Sequence, residues 1–216
     1  MEMQTTSIQL FYLPLRQTCD KEQFLRLLNT LPEPSREKIQ RLPFSKAVPS
    51  LYADLLLFKV LQEATGLPAE NLQISCGEHG KPYLENAKIH FNCSHTESAA
   101  AVALFDQPVG VDVEKIRPVR DGLARKFFAQ SETEYVEKSD FGREERLIEI
   151  WTKKEAYVKE LGAGLSCPFP SFSVLEEPLL SRIRTYKTDG NYLSVSCSAP
   201  APIRFIEKAQ EDVEFI

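Results

Sequence analysis

Two carboxylates, Asp112 and Glu114, stand two residues apart in the apolar run Val109 to Val113 and its extension, and a third, Glu155, lies further along the chain. In an extended strand alternate side chains share a face, so Asp112 and Glu114 point one way while Val111 and Val113 point the other. Like charges side by side on a sheet repel unless something positive lies between them. A solvated outer face tolerates such a pair as readily as a metal site uses it, and the pair alone leaves both readings open. Leu147, Trp151, Glu155 and Val158 recur at helical spacing, which places Glu155 in line with an apolar stripe. A lone buried carboxylate is costly unless it is paired or bound to a cation. Lys154, a distant arginine or Lys159, one helical turn on, are available partners. If the helix packs beside the Asp112 face, three carboxylates meet. Oxygen ligands without His or Cys suit a hard cation, and Mg²⁺ is commonly held by a few carboxylates together with substrate phosphates. That points to phosphate chemistry, with Lys159 placed to neutralise an oxyanion.

Ser94-His95 follows an alternating stretch, Ile89, Phe91, Cys93, and precedes small residues. A sequence neighbour of this kind is weak support for a serine nucleophile, because triad partners are not adjacent in sequence. A His contacting phosphate, or simply hydrogen-bonded, fits better. Gly80-Lys81-Pro82 reads as a tight turn carrying one cation.

These residues need elements to hold them. Ile8 to Leu13 reads as a strand. Asp20 to Leu31, Ser35 to Leu42 and Leu51 to Ala64 have helical spacing, the last stopped by Gly66-Leu67-Pro68. Leu72 to Ser75 reads as a short strand. Ala99 to Phe105 and Val109 to Val113 flank Asp106-Gln107-Pro108, which predicts an antiparallel hairpin. Ser131-x-x-Glu134 has the form of a capping box. Arg143 to Leu161 predicts a long helix ended by Gly162 and Gly164, and strands are expected over Ser171 to Leu175, Tyr192 to Cys197 and Ile203 to Ile206. The fold class is α+β, in two halves over residues 1–105 and 106–216.

Gly80-Lys81-Pro82, Phe91-Asn92-Cys93-Ser94-His95, Pro108 to Lys115, Phe127-Phe128 and Trp151 to Lys159 resemble, in order and spacing, the signature blocks of the Sfp-type 4′-phosphopantetheinyl transferases. Ser171-Phe172-Ser173-Val174 is similar to that family's closing strand. The resemblance implies two pseudo-symmetric subdomains, each a small mainly antiparallel sheet with packed helices, and an active site in the cleft between them. It implies transfer of phosphopantetheine from coenzyme A to a serine of an acyl or peptidyl carrier protein, releasing 3′,5′-ADP. By resemblance, Asp112, Glu114 and Glu155 hold Mg²⁺, Glu155 is the general base, and Lys159 holds the pyrophosphate. Ser94 and His95 contact coenzyme A phosphates, Lys81 lies by the nucleotide, and Glu132 is an acidic residue near the metal. Where relatives carry His-Arg-Thr/Ser before the second long helix, this chain has Val48-Pro49-Ser50, leaving Lys38 and Ser50 to meet the 3′-phosphate. Thr96-Glu97 replaces Ser-Gly after Ser-His.

Composition bounds the alternatives. The chain has 216 residues, 43% of them hydrophobic, and a formal net charge of −5. No basic cluster or aromatic stacking motif suggests nucleic acid. No apolar run of membrane-spanning length occurs, and Met1-Glu2-Met3-Gln4 has no basic n-region. Five cysteines without a Cys-x-x-Cys pair suit reduced thiols in a cytoplasm. A monomer is expected, since one chain supplies both halves. The rivals are another Mg²⁺-dependent phosphotransfer or phosphohydrolase site and a module that binds carriers or coenzyme A without chemistry. An acidic carrier meeting an acidic enzyme calls for a local basic patch. Lys115, Arg117, Arg120, Arg125 and Lys126 are the candidate segment, and an ordinary solvated face is the other reading.

Overall fold

The computed structural model describes residues 6–214; the Met1–Gln4 stretch lies outside the described residues. β1 (Ile8–Pro14) leads into α1 (Lys21–Leu28), α2 (Glu33–Gln40) and α3 (Phe44–Thr65). The Asp20 carboxylate caps α1 by accepting from the Gln23 amide at 2.8 Å. Gly66, at φ 72°, ends α3 in the left-handed conformation. A small ribbon of β2 (Ile74–Cys76) and β3 (Pro82–Leu84) follows, then β4 (His90–Thr96) and β5 (Ala99–Phe105). The second half runs through β6 (Val109–Lys115), α4 (Leu123–Phe127), α5 (Gln130–Glu137), α6 (Arg143–Leu161), α7 (Leu179–Arg182), β7 (Ile183–Thr188) and β8 (Asn191–Cys197). β9 (Ile203–Glu207) and α8 (Gln210–Val213) close the chain. Among the described residues no helix is long and apolar enough to cross a membrane.

The two halves repeat one topology. In the first, β1, α3, β4 and β5 give a sheet ordered β4-β5-β1; in the second, β6, α6, β7 and β8 give β7-β8-β6. All these pairings are antiparallel. The chain then crosses back: β9 joins β1 in parallel, Ile8 opposite Ile203, and α8 packs on the first half.

The expected hairpin of 99–105 with 109–113 does not form. β5 and β6 belong to different sheets and stack face to face. The reason lies in their side chains. Ala99, Ala101, Ala103 and Phe105 of β5 meet Val109, Val111 and Val113 of β6 in one core between the sheets, while Ala100, Val102 and Leu104 face α3. β5 is apolar on both faces, so it is used as a central strand covered on both sides. The strand expected over Ser171 to Leu175 is also absent. Phe169–Ser171 forms a 3-10 turn, and the backbone beyond it bonds to side chains instead of a neighbouring strand. Val48-Pro49-Ser50, expected ahead of the helix, lies inside α3. The capping position of α5 is Ala129, whose amide donates to Glu132 at 2.9 Å; Ser131 is inside the helix and bonds Glu176 and Ser173.

With the valines of β6 turned to the inter-sheet core, Gly110, Asp112 and Glu114 fall on the face toward α6. A Cβ on Gly110 would stand 2.0 Å from the Ala156 carbonyl oxygen and 2.3 Å from the Glu160 nitrogen. These are backbone atoms and cannot swing aside, so glycine is required for the helix to lie on the strand at this height. Gly110→Ala is therefore expected to destabilise by about 3 kcal/mol. At this chain length that is a fall of roughly 6–12 °C in the melting midpoint. Differential scanning calorimetry checks this, and an unchanged midpoint contradicts the packing argument.

Candidate active site

β6 and α6 bring the sequence-expected carboxylates to one place. Asp112 is 4% exposed, and one of its oxygens, Oδ1, accepts from Lys159 Nζ at 2.6 Å and from Ser94 Oγ at 2.8 Å. Lys159 also donates to Ser94 Oγ at 3.1 Å. Three elements, β4, β6 and α6, thus meet in one hydrogen-bonded triangle. Lys159 answers Asp112 from across the site, rather than Glu155 on its own helix. Ser94 gives its proton to a carboxylate instead of to a histidine, so the serine-nucleophile arrangement is not formed.

The other Asp112 oxygen, Oδ2, is buried and has no hydrogen-bond partner. Burial, followed by the Asp112 charge, raises the carboxyl pKa of both Glu114 and Glu155. Burial alone would lower Lys159, but Asp112 and then Glu155 outweigh it and hold its ammonium above the ordinary value. Two carboxyls raised by burial and by the Asp112 charge, beside an unpartnered buried oxygen of Asp112, offer the kind of oxygen donors that suit a hard divalent cation. Among the described residues no three His, Cys, Asp or Glu side chains stand close enough to be a ready-made metal cage.

Two clefts flank the triangle. One, of about 740 Å³, is mainly apolar and includes Lys81, Asn92, Trp151, Glu155, Lys159 and Phe169 in its walls. The stem of Lys81 lies along it, but its ammonium donates to the carbonyls of Glu160 (2.8 Å) and Val109 (3.1 Å). Burial lowers the Lys81 pKa. The other cleft, of about 540 Å³, is lined by Lys38, Lys46, Ser50, His95, Glu114 and Arg117 among others. Burial, then Lys38, pushes the His95 pKa down. Lys38 stands 3.9 Å from the buried Asp54, whose pKa burial raises. Glu97 turns to Lys115 at 2.6 Å.

Glu132 is not beside these groups. It is fully buried and paired at 2.7 Å with Lys154, also fully buried. Its oxygens accept from the amides of Ala129 and Val174, and Lys154 also donates to the carbonyls of Phe169 and Phe172 at 2.7 and 2.6 Å. The motif lysine and this glutamate therefore peg the segment after α6 against the helix, where Trp151 and Phe169 meet edge to face at 5.4 Å. The family pattern suggested an acidic residue by the metal. The buried ion pair is what the chain forms because a lysine on the inward face of α6 needs a counter-charge.

Sequence reasoning missed Asn92, Asp54 and Lys46. Asn92 alternates with the apolar Phe91 and Cys93 and carries no signal of its own; its burial depends on a neighbouring sheet that no local pattern announces. Asp54 lay in a mostly apolar helix that also carries Glu63, and nothing local marked it. Lys46 lay between the segments of helical spacing Ser35 to Leu42 and Leu51 to Ala64, with no motif around it.

Residues 18–106 match the family "4'-phosphopantetheinyl transferase, N-terminal", and residues 108–200 match the "4'-phosphopantetheinyl transferase superfamily". The chain is 31% identical over 201 residues to 4'-phosphopantetheinyl transferase Sfp of Bacillus subtilis (strain 168), covering 86% of this chain and 88% of that one. It is 30% identical over 194 residues to the transferase ffp of Bacillus subtilis, covering 83% and 87%. It is 35% identical over 124 residues to the transferase gsp of Aneurinibacillus migulanus, covering 57% and 52%.

Removing one member of the buried ion pair should expose its cost. Lys154→Met keeps the stem but strands Glu132, and an expected loss of about 3–5 kcal/mol follows. Adding Glu132→Gln should recover a large part of it. Urea unfolding of both variants measures this, and a double variant no more stable than Lys154→Met refutes the pairing account.

Proposed function

We propose a role for each group in this cleft, on the premise that the chain belongs to the 4′-phosphopantetheinyl transferase superfamily and transfers phosphopantetheine from coenzyme A to carrier proteins. Asp112, Glu114 and Glu155 hold Mg²⁺, and the unpartnered Asp112 Oδ2 beside two raised carboxylates is the observation that carries this reading. A bound Mg²⁺ supplies charge neutralisation on the coenzyme A pyrophosphate.

The chain's own residues do the rest. Glu155, made more basic by burial and Asp112, takes the proton of the carrier serine directly or through a water. The serine oxygen forms a bond to the β-phosphorus as the bond to the bridging oxygen breaks, and 3′,5′-ADP leaves. Lys159 and Ser94 sit at the meeting of β4, β6 and α6, where they hold the pyrophosphate oxygens. In such transfers positioning and charge neutralisation carry most of the rate. His95, Lys38 and Ser50, joined by Lys46, line the second cleft and receive coenzyme A phosphates there. Lys81 acts through its stem at the cleft wall, with its ammonium securing the end of α6. The division at 105/106, a monomeric state, a cytoplasmic location and independence of nucleic acid and membrane belong to the same reading.

The carrier, an acidic acyl or peptidyl carrier protein, docks on the segment after β6. Lys115, Arg117 and Arg125 are in exposed ion pairs with Glu97, Glu114 and Glu137. Such pairs are weak and exchange easily. Arg117 and Arg120 rim a groove of about 340 Å³ floored by Val119, Leu123 and Trp151, and bordered by Glu114.

An apo-carrier should gain the mass of phosphopantetheine only when a divalent cation is present. Asp112→Ala and Glu155→Gln should each cut turnover by roughly two to three orders of magnitude, read by mass spectrometry. Full turnover in excess chelator, or near-normal rates in both variants, moves the site elsewhere.

Reversing Arg117 and Arg120 to Glu should raise KM for the carrier and leave coenzyme A binding nearly unchanged. The wild-type advantage should fade as salt rises, because exposed charges are screened. Carrier kinetics unaffected at low salt would shift attention to Arg143 and Arg146.

A further inference from the structure

β4 and β6 are the edge strands of their two sheets, and they lie against each other without forming a ladder. The backbone donor of Val111 therefore has no strand partner on that side. It is buried, and a buried amide left unpaired is costly. Asn92, only 5% exposed, supplies the missing acceptor: its Oδ1 accepts from Val111 N at 2.8 Å. The next contact along this seam is Ser94 Oγ donating to Asp112 Oδ1. Asn92 and Ser94 are alternate residues of β4 and share a face. Val111 and Asp112 are consecutive on β6. One amide thus sets the height of β6 against β4 immediately before the residue whose carboxylate joins Ser94 and Lys159.

We propose that Asn92 is a positioning residue for the transfer reaction, acting through the Val111 amide to hold Asp112 at the height where Ser94, Lys159 and the divalent cation share it. The proposal rests on the assignment of Asp112, Glu114 and Glu155 to the metal. An amide is suited to this seam and few other side chains are. Its oxygen accepts the backbone hydrogen bond, and it brings no charge beside three carboxylates. Its Nδ2 has no acceptor among the described residues, and Asn92 lines the larger cleft. Orientation follows from chemistry: the Val111 amide is a donor, so the oxygen must face it. A misplacement of β6 by a fraction of an ångström would leave the halves associated, because the valine and alanine core between the sheets does not depend on this bond. It would move Asp112 away from Ser94 and from the other carboxylates.

The experiment compares Asn92→Leu, which fills a similar volume without an acceptor, with Asn92→Asp, which keeps one. Asp112→Ala is measured alongside. Turnover is normalised to the folded fraction, KM for the carrier is fitted separately, and Mg²⁺ is titrated by calorimetry into the complex with coenzyme A. Asn92→Leu is expected to lower turnover per folded molecule at least 30-fold with KM for the carrier unchanged, and to weaken Mg²⁺ binding at least 10-fold. Asn92→Asp is expected to recover at least five-fold of each loss, because it keeps the acceptor that Val111 needs, while the charge it adds beside the carboxylates holds it short of the wild type. Turnover of Asn92→Leu within three-fold of the wild type, or an Asn92→Asp variant as impaired as Asn92→Leu, overturns the proposal. Near-normal turnover and Mg²⁺ binding in Asp112→Ala would instead fail the metal assignment itself, so the two failures are distinguishable.

Discussion

The absence of one side chain, at Gly110, permits everything around the cleft. β6 and α6 touch backbone to backbone there, closer than any other residue would allow. That contact puts the polar face of β6 directly under the inward face of α6. Asp112 then reaches Lys159 at 2.6 Å, and Glu114 and Glu155 come close enough to feel the Asp112 charge. A strand held a few ångströms further off would keep the same residues and lose their convergence.

Around this contact the chain uses polar bonds where sheets alone would leave gaps. The two halves have the same strand–helix–strand–strand topology but do not merge into one sheet, so their facing edges are joined by side chains. Asn92 meets a backbone amide and Ser94 meets Asp112, while Ser98 in the turn after β4 meets Asn191 of β8. A cleft opens between β4 and α6. On its far wall the buried Lys154 and Glu132 replace a strand ladder, binding two carbonyls and two amides of irregular backbone. An isolated buried charge would be prohibitive, but a pair that also satisfies four backbone groups meets the requirement for both charges and chain. The same groups that give the site its chemistry or its walls therefore also hold the two halves and the wall segment in place.

The strand alternation of 109–115 put Asp112 and Glu114 on one face, and helical spacing turned Glu155 inward; both follow from local periodicity and were readable from the residues. So were the long helices, with their glycine stops, and the doubly apolar run 99–105. The resemblance to a transferase family was equally readable, because blocks such as Gly110 to Glu114 and Trp151 to Lys159 are local. Periodicity is a property of neighbouring residues, and it survives without knowledge of the rest of the chain. Partner choice is not local. Lys159 was one of several available partners for Glu155, one turn away, and instead crosses to Asp112. Glu132 was expected near the metal and lies in a separate buried pair. Residues 106–108 looked like a hairpin turn and in fact pass the chain from one sheet to the other, because β5 and β6 gain more by stacking their small apolar faces than by pairing edges. Asn92 had no local signal of its own and is buried at the seam. Each of these depends on which surface arrives from a distant part of the chain. Only the packing of two sheets and two long helices around Gly110 and the inter-sheet core decides that.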